Sequence, residues 1–136
     1  MYKNIKLMDI LIADSSAKIV ERLADIITFK INTAVVYTAY NFEKALLLFK
    51  ENRPSAVLLG MNLPGNQSIE LLRAMKKTGH HTSIIILSIY INNSLIKECK
   101  QLGATVFLDK FLEFEKIPEH LIALETDKKQ VMITPT

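Results

Sequence analysis

The residues able to do chemistry stand at a few well-separated places. Asp14 and Ser15 follow one apolar run, Gly60 stops a second, Ser88 ends a third, and Asp109-Lys110 ends a fourth. His80 and His81 are adjacent, and Cys99 is the only cysteine. A carboxylate, a hydroxyl and an ammonium can serve as base, nucleophile and electrostatic partner once a fold brings them together. Ser88 and Lys110 make a conceivable nucleophilic pair, yet neither oxyanion donors nor a substrate pocket can be read beside them. Paired histidines directly before a strand read as a polar loop before they read as a metal site. A lysine at the mouth of an apolar crevice seeks a carboxylate, and Asp14 is expected within its reach.

The elements that must position these residues alternate along the chain. Residues 7–13 read as a first strand ended by Asp14, and Ser15 or Ser16 can cap the helix that follows. That helix carries Ile19, Val20, Leu23, Ala24 and Ile27 at helical spacing. Residues 32–37 form a second strand. Asn41 caps a second helix striped by Phe42, Ala45, Leu46 and Phe49, which ends at Arg53-Pro54. The third strand, 56–59, stops at Gly60, and Leu63-Pro64-Gly65 turns the chain into a helix over 67–77. Residues 83–88, SIIILS, are a fourth strand with hardly a polar residue, as expected when both sheet faces are covered. A fourth helix over 92–102 ends at Gly103, and 104–108 form the fifth strand. A last helix contains 118–125 and begins near Glu113, and the tail 126–136 is expected to be loose.

This alternation predicts one doubly wound α/β domain over 1–125, with a five-stranded parallel sheet. In such a sheet ligands gather in the crevice beyond the carboxyl ends of the strands, where Asp14, Ser15, Gly60, Ser88 and Lys110 converge. The glycine at the centre of that crevice has no side chain to offer.

Bulk composition excludes several function classes. The chain has 136 residues, 49% of them hydrophobic and 23% charged, which describes a folded domain rather than a disordered one. The 17 Lys+Arg against 14 Asp+Glu leave a net charge of +3 spread along the chain, too small and dispersed for direct nucleic-acid binding. One cysteine forbids an intramolecular disulfide, and Cys99 on an apolar helix face is expected to be a buried, inert thiol. No secretory signal is expected, since Asp9 interrupts the apolar residues that follow Lys3 and Lys6, and the longest apolar run falls far short of the ~20 residues a membrane helix needs. A cytoplasmic protein with no membrane contact is expected. The loop Asp14-Ser15-Ser16-Ala17-Lys18 has no glycine to admit phosphates to the backbone, which argues against a flavin or nucleotide site.

Four segments, in order and spacing, carry a resemblance. ILIADSS resembles the acidic first strand and loop of the receiver domains of two-component response regulators. VLLGMNLPG resembles their phosphoacceptor segment, IIILSIY their Ser/Thr strand, and LGATVFLDK their closing strand with its aromatic and lysine. The resemblance runs from about residue 7 to 124 and implies a flavodoxin-like fold with strand order 2-1-3-4-5. In that family an Asp ending the third strand receives a phosphoryl group from a histidine kinase. Two acids after the first strand help hold Mg²⁺, and a Ser or Thr and a Lys bind the phosphoryl group. Phosphoryl transfer asks for little beyond such positioning and charge.

Carried over by resemblance, the pattern survives only in part. Asp14 matches the first acid, Ser15 stands where the second would be, and Gly60 stands at the phosphoacceptor position. Asn62 matches a position that offers the metal its backbone carbonyl; Ser88, Lys110 and Phe107 match the hydroxyl, the lysine and the switch aromatic. Phe111 replaces the usual proline after the lysine, so a cis peptide is not expected there, and Ser68 replaces a usual glycine. The remnant pocket keeps one carboxylate and one lysine and so has no net charge to attract Mg²⁺. Weak or no Mg²⁺ binding, no other cofactor and no enzymatic activity are expected.

The reading is a stand-alone pseudo-receiver in phosphorelay signalling that acts by phosphorylation-independent protein contacts. Its partner would be a histidine kinase, another signalling protein or a second copy, and it could also titrate a kinase away from a functional regulator. The face implied is that of the fourth helix, fifth strand and fifth helix, with Tyr90, Lys97, Lys100 and Gln101 beside Phe107. Phe111 and Phe114 either anchor a partner at the crevice rim or cap the end of the sheet. The alternative is a regulator whose phosphosite has moved to Asp14 or Ser15.

Overall fold

The computed structural model of the chain describes residues 8–89 and 92–133. Strands β1 (Met8–Ala13), β2 (Ala34–Ala39), β3 (Ala56–Gly60), β4 (Ser83–Ser88) and β5 (Ala104–Asp109) alternate with helices α1 (Ala17–Lys30), α2 (Phe42–Asn52), α3 (Gln67–Lys77), α4 (Asn93–Gln101) and α5 (Ile117–Ile133). Single 3₁₀ turns, Pro64–Asn66 and Phe114–Lys116, precede α3 and α5. The strands form one parallel sheet in the order β2-β1-β3-β4-β5.

Side chains alternate across this sheet, so each central strand feeds two cores. Ile10, Ile12, Leu58, Ile85, Leu87 and Leu108 pack with Val20, Leu23 and Ile27 of α1 and Ile117 and Leu121 of α5. Leu11, Val57, Leu59, Ile84 and Ile86 pack with Phe49 of α2, Leu71, Leu72 and Met75 of α3 and Cys99 of α4. With both faces covered, β3 and β4 have no polar face to present, which is why their sequences are continuous apolar runs.

The helix starts follow their side-chain caps. Ser16, Asn41 and Asn92 accept from the backbone N–H groups of Ile19, Lys44 and Leu95 and satisfy donors the first turns leave free. Several boundaries differ from expectation: β2 ends at Ala39 rather than 37, and α5 begins at Ile117, after a 3₁₀ turn, rather than near Glu113. β2 begins at Ala34 rather than 32, because Ala34 N–H donates to Ile31 O and closes a turn through Asn32 and Thr33. The tail expected to be loose from 126 is helical to Ile133. No glycine or proline interrupts TDKKQVMI, and its Lys, Gln and Met are good helix formers; the first breaker is Pro135. Leu7, Tyr90 and residues 134–136 lie outside the described residues.

Candidate functional site

Asp14 sits at the carboxyl end of β1 with its backbone N–H bonded to Ala39 O at 3.1 Å. Its side chain is fully buried. One carboxylate oxygen, Oδ1, accepts from Ser16 N–H at 2.8 Å and from Asn62 Nδ2 at 3.0 Å. The other, Oδ2, lies 2.6 Å from Lys110 Nζ, and the side chains of the pair are 0% and 5% exposed. Ser16 therefore has two tasks, since its N–H holds Asp14 while its hydroxyl caps α1. Ser15, next to it, is exposed.

Gly60 closes β3 beside this pair. Its φ lies outside the left-handed region, so its backbone does not demand glycine. Its surroundings do. A Cβ at Gly60 would overlap Asp14 Oδ2 and lie 2.8 Å from Asn62 Oδ1, closer than real Cβ contacts come. The Asp14 carboxylate thus occupies the space a residue-60 side chain would need.

The turn after Gly60 is held by Ser68, which sequence reasoning noted only as a departure from the family. Ser68 is buried; its hydroxyl donates to Gly60 O at 2.7 Å and accepts from Leu63 N–H at 3.3 Å. A polar residue on the inward face of an amphipathic helix was the available signal. The loop after β5 has a similar brace. Asp109 Oδ1 accepts from the N–H groups of Phe111 and Leu112 at 2.9 and 2.8 Å, and Glu113 Oε1 accepts from Asp109 N–H at 3.1 Å. These bonds fix the chain direction just beyond Lys110, with all its peptides trans.

Ser88 is buried at the end of β4, and its carbonyl accepts from Lys110 N–H at 3.1 Å. Together with Met61, Asn62, Leu87, Ile89 and Lys110 it lines a cavity of about 170 Å³. Among the described residues no carboxylate lines that cavity. Asp14, Gly60, Ser88 and Lys110 therefore lie together, with a buried ion pair under a small, largely apolar mouth, whereas Ser15 faces solvent and does not join them.

The sequence pattern of the response regulator receiver domain matches residues 10–122. The chain belongs to that family. Sporulation initiation phosphotransferase F of Bacillus subtilis is 35% identical over 81 residues, covering 60% of this chain and 65% of that protein. A Nocardioides protein-glutamate methylesterase/protein-glutamine glutaminase is 30% identical over 70% of this chain but 26% of its own length. The chain thus spans less than two-thirds of these relatives. The crystal structure of the chemotaxis protein CheY4 of Vibrio cholerae aligns with a TM-score of 0.78 at 21% identity, over 88% of this chain and 99% of that one. The likeness to it is one of fold.

Other residues of this receiver domain fall as follows. Phe107 is half-buried against the core on the α2–α4 side. Lys97, Lys100 and Gln101 are exposed on α4. Phe111 is 60% exposed, whereas Phe114 is 7% exposed and packs in the core with the Arg22 guanidinium 5.0 Å over its ring. Phe114 is therefore a core residue and leaves the candidate partner face; the 3₁₀ turn before α5 swings it inward. His80 Nε2 bonds Pro54 O at 2.8 Å and its ring meets Phe49 edge-on, a packed structural role. Burial, then the charge of Glu98, pushes the Cys99 thiol above its ordinary value. Among the described residues no helix is long and apolar enough to cross a membrane.

Proposed function

We propose that this receiver domain of two-component signalling works without being phosphorylated, as a binding protein with no catalytic step of its own. The observation that carries the reading is the Asp14–Lys110 ion pair closed over Gly60. By the family pattern Gly60 holds the phosphoacceptor position and has no oxygen to accept a phosphoryl group. Lys110, which would pair with that group, already has a carboxylate. Mg²⁺ does not fit either. It needs one or two well-placed carboxylates, and the one in this crevice is taken up by Lys110, Asn62 and the Ser16 N–H.

Contacts with other proteins then carry the signal. The face proposed is that of α4, β5 and α5, where Lys97, Lys100 and Gln101 are exposed. A second copy or a separate signalling protein is the partner; among the chain's structural neighbours, one from Borrelia burgdorferi is solved as a CheX-CheY-BeF3-Mg²⁺ complex, so that neighbour binds another protein in its ion-loaded form. Relocation of the phosphosite to Asp14 is disfavoured by its complete burial, whereas Ser15 is exposed. Intact mass after incubation with Mg²⁺ and a small acyl phosphate donor tests the reading. An unchanged mass supports it, and a gain of one phosphoryl group on Ser15 or elsewhere overturns it.

A further inference from the structure

Position 60 is glycine for a reason its own backbone does not supply. Its φ is one any residue adopts, and yet a single added carbon meets Asp14 Oδ2, Asp14 Cγ and Asn62 Oδ1 at once. Asp14 cannot simply withdraw. Its Oδ1 accepts hydrogen bonds from Ser16 N–H and Asn62 Nδ2, its Oδ2 is held by charge alone, facing Lys110 Nζ without a hydrogen bond, and the whole side chain is sealed from water. β1 and β5 are not neighbours, since β3 and β4 lie between them in the sheet. Lys110 and Asp14 reach each other across the end of β3, over the place where residue 60 has nothing to put in the way.

We infer that the Asp14–Lys110 pair and a side chain at position 60 exclude one another, so that Gly60 is the opening through which β1 and β5 are latched together. Asp14 is the carboxylate resident in that opening. It follows that restoring an acid at position 60 does not rebuild a phosphoryl site by addition. The new side chain must first evict Asp14 from Lys110, leaving a buried carboxylate and a buried ammonium to find new partners. This inference concerns the geometry of the crevice and stands whether or not the chain signals without phosphate.

A double-mutant cycle between positions 14 and 60 tests it, read by denaturant unfolding. Gly60→Ala adds only the offending carbon and is expected to lower the folding equilibrium constant by roughly ten- to a hundredfold, the range for overpacking a close-packed interior. Asp14→Ala removes the main obstacle together with Lys110's partner, and it frees the Asn62 amide, whose Oδ1 is the second obstacle, from its anchor on Asp14 Oδ1; it is destabilising by itself. In the Asp14→Ala background, Gly60→Ala is expected to change the constant by less than about threefold. Comparing Asp14→Ala with the double variant decides the matter even where Gly60→Ala alone does not fold. Equal losses from Gly60→Ala in both backgrounds, or no loss in the wild-type background, would overturn the latch. Neither outcome bears on whether the wild-type chain gains phosphoryl mass, so this test and that of the proposed function fail independently.

Discussion

Lys110 Nζ and Asp14 Oδ2 are 2.6 Å apart although two strands separate theirs in the sheet. The contact spans the carboxyl end of β3, and it can form because residue 60 ends at its Cα. Both side chains are buried, so their attraction is little screened by water or salt, and each would be costly to leave alone.

Removing one partner is therefore expected to be severe. Lys110→Met leaves the Asp14 carboxylate buried without its cation and should cost about 3–5 kcal/mol in denaturant unfolding. Asp14→Asn combined with Lys110→Met removes both charges and should recover most of that loss. Equal destabilisation in the single and double variants would mean that the ion pair is not what holds these groups.

Ser68→Ala removes a hydroxyl that bonds Gly60 O and Leu63 N–H in a buried turn. The expected cost is about 1–3 kcal/mol, the penalty for a buried group left unsatisfied. Hydrogen exchange should quicken at Leu63 more than at the centre of β3. Unchanged protection there would contradict the brace.

The two aromatics after β5 should part company. Phe114→Ala is expected to cost about 3–5 kcal/mol, as for a core phenylalanine, with Arg22 losing the ring beneath it. Phe111→Ala should fall within about 0.5 kcal/mol of wild type, since its side chain is mostly in water. Thermal or denaturant unfolding of each variant distinguishes them.

Cys99 should resist thiol reagents. Burial, then the charge of Glu98, raises its pKa above the ordinary thiol value, so the neutral thiol is favoured in the fold and the reactive thiolate is scarce at pH 7–8. A thiol whose folded value is raised contributes stability that is whole below its unfolded value and is lost as pH climbs through the folded one. Labelling should thus track global unfolding, and this contribution should fade as pH rises above the ordinary thiol value. Fast labelling of the native protein at pH 7 would contradict it.

Much of this was legible in the residues, for definable reasons. Strands buried on both faces write themselves as apolar runs such as IIIL, and Ser, Asn and Gly punctuate helices by satisfying or releasing backbone groups. The convergence of Asp14, Gly60, Ser88 and Lys110 followed from parallel topology alone. The pairing of Asp14 with Lys110 could be anticipated from charge, but its occupation of the residue-60 volume could not, because side-chain placement at that scale is a matter of packing. Ser68 and the Asp109–Glu113 brace were not foreseen, since a local side chain-to-backbone bond leaves no periodic trace. Phe114 was ambiguous for a related reason: an aromatic in a loop reads alike whether the next turn points it in or out.

The most direct test of the central claim is an amide NMR titration of the wild-type chain with Mg²⁺, then with a small acyl phosphate donor. A crevice already closed by its own carboxylate predicts no saturable shifts at Asp14, Gly60 and Ser88 in either step. Saturable Mg²⁺ shifts at those residues, followed by a second set on adding the donor, would contradict it and return this receiver domain to the phosphorelay.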